Sequence, residues 1–165
     1  MPIEVNDWVV HPQSGIGRVV NQELRQFAPG TARQYFVVAI AKGTMWVPVE
    51  GAPSGFRKLT AKVELERYRG VLRGRPKPLA TDSRQRQIAL VDKLKDGLFQ
   101  TRCEVVRDLT AHCWHKSLNE SSSVLLRSAQ GVLCAEWAAS EGLSVIEASQ
   151  EVEALLLEGR KTYEK

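Results

Sequence analysis

The stretch His112-Cys113-Trp114-His115 sets two imidazoles three positions apart around a thiol, side chains that can together bind a divalent metal. On a helix the histidines share a face, but Cys113 points about 100° away from His112, and neither a Cys-x-x-Cys pair nor a His-Glu-x-x-His run accompanies them. The spacing predicts no metal site. A second stretch, His11-Pro12-Gln13-Ser14-Gly15-Ile16-Gly17, offers a histidine beside a glycine-containing turn, material for a phosphate loop or a general base. It lacks the third glycine of a dinucleotide fingerprint and leads into a strand-like run, so no helix N-terminus presents free amides to a pyrophosphate. Proline after His11 biases that residue to extended geometry, and no Ser, Cys or Asp motif stands beside it. The reading is a structural turn. Glu64 and Glu66 read as a charged helix face. With no nucleophile, base and cofactor set converging, the chain reads as a non-enzyme that uses no cofactor.

Charge is the third chemical feature. The net charge of +4 conceals a basic belt: residues 61–90 hold eight basic and three acidic side chains. Between positions 67 and 86, Arg67, Arg69, Arg73, Arg75, Lys77, Arg84 and Arg86 are opposed only by Asp82. Such a run can face nucleic-acid phosphate, where neutralisation releases counterions, or it can be a solvated helix face.

Two kinds of element must position these residues. Trp8-Val9-Val10, Ile16 to Val20, Tyr35 to Val38 and Trp46 to Val49 are short β-branched and aromatic runs separated by Gly and Pro turns, the pattern of a small antiparallel barrel or curved sheet. Phe27 to Thr31 predicts the turn of a long hairpin and Ala41 to Thr44 a tight one. From Thr60 the pattern is helical. Thr60 can cap a helix to about Leu72, which Arg73-Gly74-Arg75-Pro76-Lys77-Pro78 ends as a Pro-rich hinge. Beyond it, Ile88, Val91 and Leu94 keep helical spacing, as do Val105, Val106, Leu109 and Cys113. Ser117 with Glu120 and Ser144 with Glu147 have the capping-box form. Trp114 and Trp137 read as bundle core or groove residues. The expected organisation is α+β: a β domain over 1–58, a connecting helix and hinge over 59–79, and a helical bundle of about four helices over 80–165. Three cysteines in helical segments read as reduced thiols, and the absence of a signal-like start or a long apolar run predicts a cytoplasmic protein without membrane contact.

With both halves laid out, the chain resembles the CarD/CdnL family of bacterial RNA-polymerase-binding transcription regulators. Val5-Asn6-Asp7-Trp8-Val9-Val10-His11-Pro12 with Gly15-x-Gly17 is similar to the family's opening, Val47-Pro48-Val49-Glu50 to a strand end, and Gly55-x-Arg57 with Leu59 to the close of that module. Val105-Val106-Arg107-Asp108-Leu109 matches a run often seen in the helical domain. The resemblance implies a Tudor-like (SH3-like) barrel that docks on the RNA polymerase β subunit, with Arg25, Trp46, Val47 and Pro48 at the contact. Trp46 stands where many members carry a basic residue. The helical domain is implied to meet promoter DNA at the upstream edge of the transcription bubble, through Arg75, Lys77, Ser83, Arg84 and Arg86. Ser83 falls where the family wedges a tryptophan into the minor groove, and serine lacks the apolar surface that wedging requires. Two functions follow: a regulator that stabilises the open complex through phosphate contact, with no small-molecule substrate, or a polymerase-binding adaptor that has lost productive DNA contact.

Overall fold

The computed structural model describes residues 2–164, and the chain divides into two compact units, Met1–Leu59 and Thr60–Lys165. The N-terminal unit is one antiparallel sheet of β1 (Trp8–His11), β2 (Gly15–Ala28), β3 (Thr31–Ile40), β4 (Gly43–Pro48) and β5 (Arg57–Lys58), in the order β4-β3-β2-β1-β5. Alternation along the strands sends Val9, Val19, Phe36, Val38 and Val47 into one core, against which Met45, Val49 and Phe56 pack. β4 and β5 close the two ends of the sheet without pairing with each other.

The glycine turn is a corner of this sheet, as its residue types predict. Gly15 has a φ of +80°, which L side chains rarely adopt. Gly17, paired with Val9 on one side and Ile40 on the other, lies so close to β3 that a Cβ would stand 2.6 Å from Val38 Cγ1 and 2.9 Å from the Ala39 carbonyl. His11 completes the corner: its buried Nδ1 accepts the N–H groups of Gln13 and Ser14, each at 3.1 Å. Burial holds its pKa below the ordinary value, so the ring is a neutral acceptor rather than a base facing solvent.

The second unit holds α1 (Leu65–Leu72), α2 (Ser83–Leu94), α3 (Phe99–His112), α4 (Glu120–Glu141) and α5 (Val145–Tyr163). α3 is the central helix. Cys103 and Val106 face the larger core with Leu65, Leu72, Leu133, Trp137 and Val152, while Val105 and Leu109 face a smaller one with Leu90. Among the described residues, no helix is long and apolar enough to cross a membrane.

Several local expectations change. α1 belongs to the helical core through Leu65, Tyr68 and Leu72 and is not a separate connector. The Pro-rich segment after it is pinned: the Lys77 N–H donates to Asp108 at 2.9 Å, and the α5 backbone at Gly159 lies against the Arg73 backbone. Thr60 is no helix cap. A 3-10 turn, Lys62–Glu64, precedes α1, and Thr60 instead donates through its N–H and Oγ1 to the buried carboxylate of Glu136. Asn119, not Ser117, caps α4, because its side chain accepts the Ser122 N–H. Ser144 and Glu147 form the capping box expected of them. On α2 the spaced residues Ile88 and Val91 face out, because Arg86 and Leu90 take the buried face of that helix, and Cys113, just past the end of α3, is exposed.

Candidate functional site

In the N-terminal unit the β2–β3 hairpin and β4 gather one group of side chains. Glu23 pairs across the sheet with Tyr35, and Trp46 with Val37, so Glu23, Tyr35 and Trp46 share a face. Glu23 Oε1 accepts from Arg25 Nε at 2.6 Å and from the Trp46 indole N–H at 2.9 Å. Arg25, and after it the indole, hold the Glu23 carboxyl below the usual carboxylate range. The Arg25 guanidinium lies 5.5 Å from the Trp46 ring centroid, and Phe27 stands edge-on to both Tyr35 and Trp46. Trp46 and Phe27 nevertheless keep 38% and 59% of their surface exposed. Large apolar surface held in a fixed geometry and left open is the composition of an interface anchor.

β4 adds a backbone feature. The Val49 N–H donates to the Gln34 carbonyl at 3.0 Å, which makes that position a hydrogen-bonded pair. In the same register Val47 and Met45 bond toward β3, so Thr44, Trp46 and Pro48 turn their backbone groups to the outer edge. No strand among the described residues covers that edge. Proline, which has no N–H to offer, falls on an outward position where none is needed by β3. Of the residues named from sequence, Arg25 and Trp46 are brought together, Pro48 lies on the same edge, and Val47 is buried in the core. Glu23, Phe27 and Tyr35 were not singled out from sequence, although Phe27 in a turn segment was a readable signal.

In the helical unit the basic belt is largely consumed by internal pairing. Arg67 meets Glu64, and Arg73 meets Glu66. Arg69 meets Glu66, Glu141 and Glu151, with its guanidinium 5.5 Å from the Trp137 ring. Arg86, expected to face DNA, is only 4% exposed: it donates to the carbonyls of Ala80 and Thr81 and to Ser122 Oγ. A guanidinium spent on three internal acceptors at the start of α2 cannot reach a phosphate. Arg75, Lys77 and Arg84 remain exposed, and among the described residues no carboxylate pairs with them. Arg75 lies over the Tyr163 ring at 4.9 Å. Ser83 is exposed in the first turn of α2, after Asp82, which caps that helix through the Gln85 N–H.

Both units have counterparts in known proteins. Residues 3–60 match the family described as CarD-like/TRCF RID domain, and residues 68–153 match the one described as CarD, C-terminal domain. The chain belongs to the CarD family. A relative from Bacillus subtilis (strain 168), YdeB, whose name makes it a candidate transcription factor, is 26% identical over 144 residues, covering 86% of this chain and 94% of YdeB. CarD-like proteins are transcription regulators whose N-terminal domain is of the RNA-polymerase-interacting type. The mixed α+β architecture, a five-stranded sheet followed by five helices, is the one that membership calls for.

Proposed function

We propose that this CarD-family chain is a non-enzymatic transcription regulator that docks on the RNA polymerase β subunit by extending a sheet of that subunit along β4. The observation that carries the reading is the uncovered outer edge of β4 beside the exposed Trp46, Arg25 and Phe27 group. Backbone hydrogen bonds from an edge supply affinity, and the neighbouring side chains supply selectivity. The helical unit then meets promoter DNA near the upstream edge of the bubble through Arg75, Lys77 and Arg84, stabilising the open complex. Tethering raises the local concentration of these cations at DNA, so three phosphate contacts can matter where they would not in free solution.

A Thr44→Pro variant tests the edge, because it removes an outward N–H while leaving the bonds to β3 intact. Weakened binding to isolated β subunit supports sheet extension; unchanged binding rules it out.

One observation favours a second reading, that of an adaptor without productive DNA contact. Four of the seven belt cations are engaged internally, and Ser83 offers no wedge. The adaptor reading predicts polymerase binding that is indifferent to reversal of Arg75, Lys77 and Arg84, and open complexes that gain no lifetime from the protein.

A further inference from the structure

A cavity of about 370 Å³ opens in the helical unit between the Pro-rich segment, the C-terminal end of α3 with its following turn, and the last residue of α5. It lies within the usual size range of small-ligand sites. Its walls are mainly apolar, with Pro76, Pro78 and the half-buried Trp114 among them, and its rim carries Arg75, Lys77 and Lys116. The one carboxylate in the lining, Asp108, is buried and already accepts from the Lys77 N–H and from Arg107 Nε. Glu164, which follows Tyr163 and feels the His115 side chain, is paired with Arg160 at 2.8 Å. Lys77 and Lys116 are exposed, with no carboxylate partner among the described residues.

An aromatic wall with unneutralised cations at the rim matches a flat ring joined to phosphate. Stacking on tryptophan needs no particular base, and the cations take the charge that an apolar pocket would otherwise reject. The walls are also held in place rather than formed on demand: the Lys77 backbone is tied to α3, and Arg75 is laid on Tyr163. We propose that this cavity receives one unpaired base of a melted DNA strand, stacked on Trp114, with Arg75, Lys77 and Lys116 on the flanking phosphates. The proposal rests on the reading that the helical unit meets promoter DNA, and it adds a stacking site where Ser83 supplies no wedge.

The test is fluorescence anisotropy of the full chain with a short single-stranded thymidine oligonucleotide, the same strand without bases, its duplex, and free thymidine monophosphate as competitor. The expected result is preference for the strand with bases, at least about fivefold weaker binding by Trp114→Ala, and recovery in Trp114→Phe. A Lys77→Glu, Lys116→Glu double variant, altered only at exposed positions, loses binding with its fold unchanged. Equal binding of the base-free strand, or of Trp114→Ala confirmed folded by circular dichroism, overturns the pocket while leaving phosphate contact standing. Displacement by the monophosphate at comparable affinity assigns the cavity to a free nucleotide and overturns it in favour of that ligand. Failure to bind any of the DNAs overturns the DNA reading itself.

Discussion

Thr60 Oγ1 donates to the carboxylate of Glu136 at 2.6 Å, and the Thr60 backbone N–H reaches the same oxygen at 3.1 Å. Glu136 is 1% exposed, so its charge depends on donors supplied by the protein. Ser140 returns a bond from its hydroxyl to the Thr60 carbonyl at 2.6 Å, fixing both sides of that residue against α4. The first residue of the helical unit is therefore anchored to the last two turns of α4. Thr60→Val keeps the shape and removes the hydroxyl, with an expected loss of about 1.5 to 3 kcal/mol. Urea unfolding followed by helix circular dichroism measures it; a loss below about 0.5 kcal/mol would show the hydroxyl to be dispensable.

Arg86 and Arg84 lie two positions apart on α2 and should behave as different kinds of residue. Arg86→Ala removes charge-assisted bonds to Ala80, Thr81 and Ser122, leaves those acceptors without their donor, and should cost the helical unit about 2 kcal/mol or more. Arg84→Ala should change stability by less than about 0.5 kcal/mol. Thermal unfolding of the two variants separates them, and equal destabilisation contradicts the buried placement.

The DNA reading makes a salt prediction. Three exposed cations give a slope of log K against log salt of about −2.7 on duplex DNA, and each of Arg75→Ala, Lys77→Ala and Arg84→Ala should reduce its magnitude by about 0.9. Binding isotherms on upstream-fork promoter DNA over a salt series measure this. A slope indifferent to all three variants favours the adaptor. If open complexes gain lifetime only with Ser83→Trp, the chain lacks the melting function in its native form.

Acid should weaken the fold through the buried His11 and the half-buried His112. His11 and His112 both have pKa values held below the ordinary 6.5, His11 by burial alone and His112 by burial first and then by Arg86 and Lys116. Each therefore binds a proton more readily when unfolded, so its contribution is whole above the unfolded value and is lost as pH falls below it. The urea midpoint should fall between about pH 7.5 and about pH 5.5. His11→Asn, which can still accept both turn amides but does not titrate, should flatten that fall; an unchanged pH profile would contradict the neutral acceptor role.

The corner at Gly15 and Gly17 was legible in the sequence because its physics is local: a positive φ at one position and β-rich runs on both sides. So was the split between strands and helices, since periods of two and 3.6 residues differ over short windows. The fate of the basic belt was not legible. Whether Arg69 and Arg86 face water depends on Glu141, Glu151 and Ser122, which lie 36 to 82 residues away in sequence. Ile88 and Val91 misled for the same reason, because α2 spends its buried face on Arg86 and Leu90. The Trp46 and Glu23 contact, spanning 23 residues, needed the strand register before it could be seen.

The central claim is that Arg25 and Trp46 form the polymerase-binding face. Titration of the full chain and of Arg25→Glu against isolated β subunit tests it most directly, with circular dichroism to confirm the fold. Reversal sets a carboxylate against Glu23 and removes the cation over Trp46, and affinity should fall at least about tenfold, as for an interface arginine at a hot spot. Equal affinity of the two proteins would contradict the claim and place the interface elsewhere.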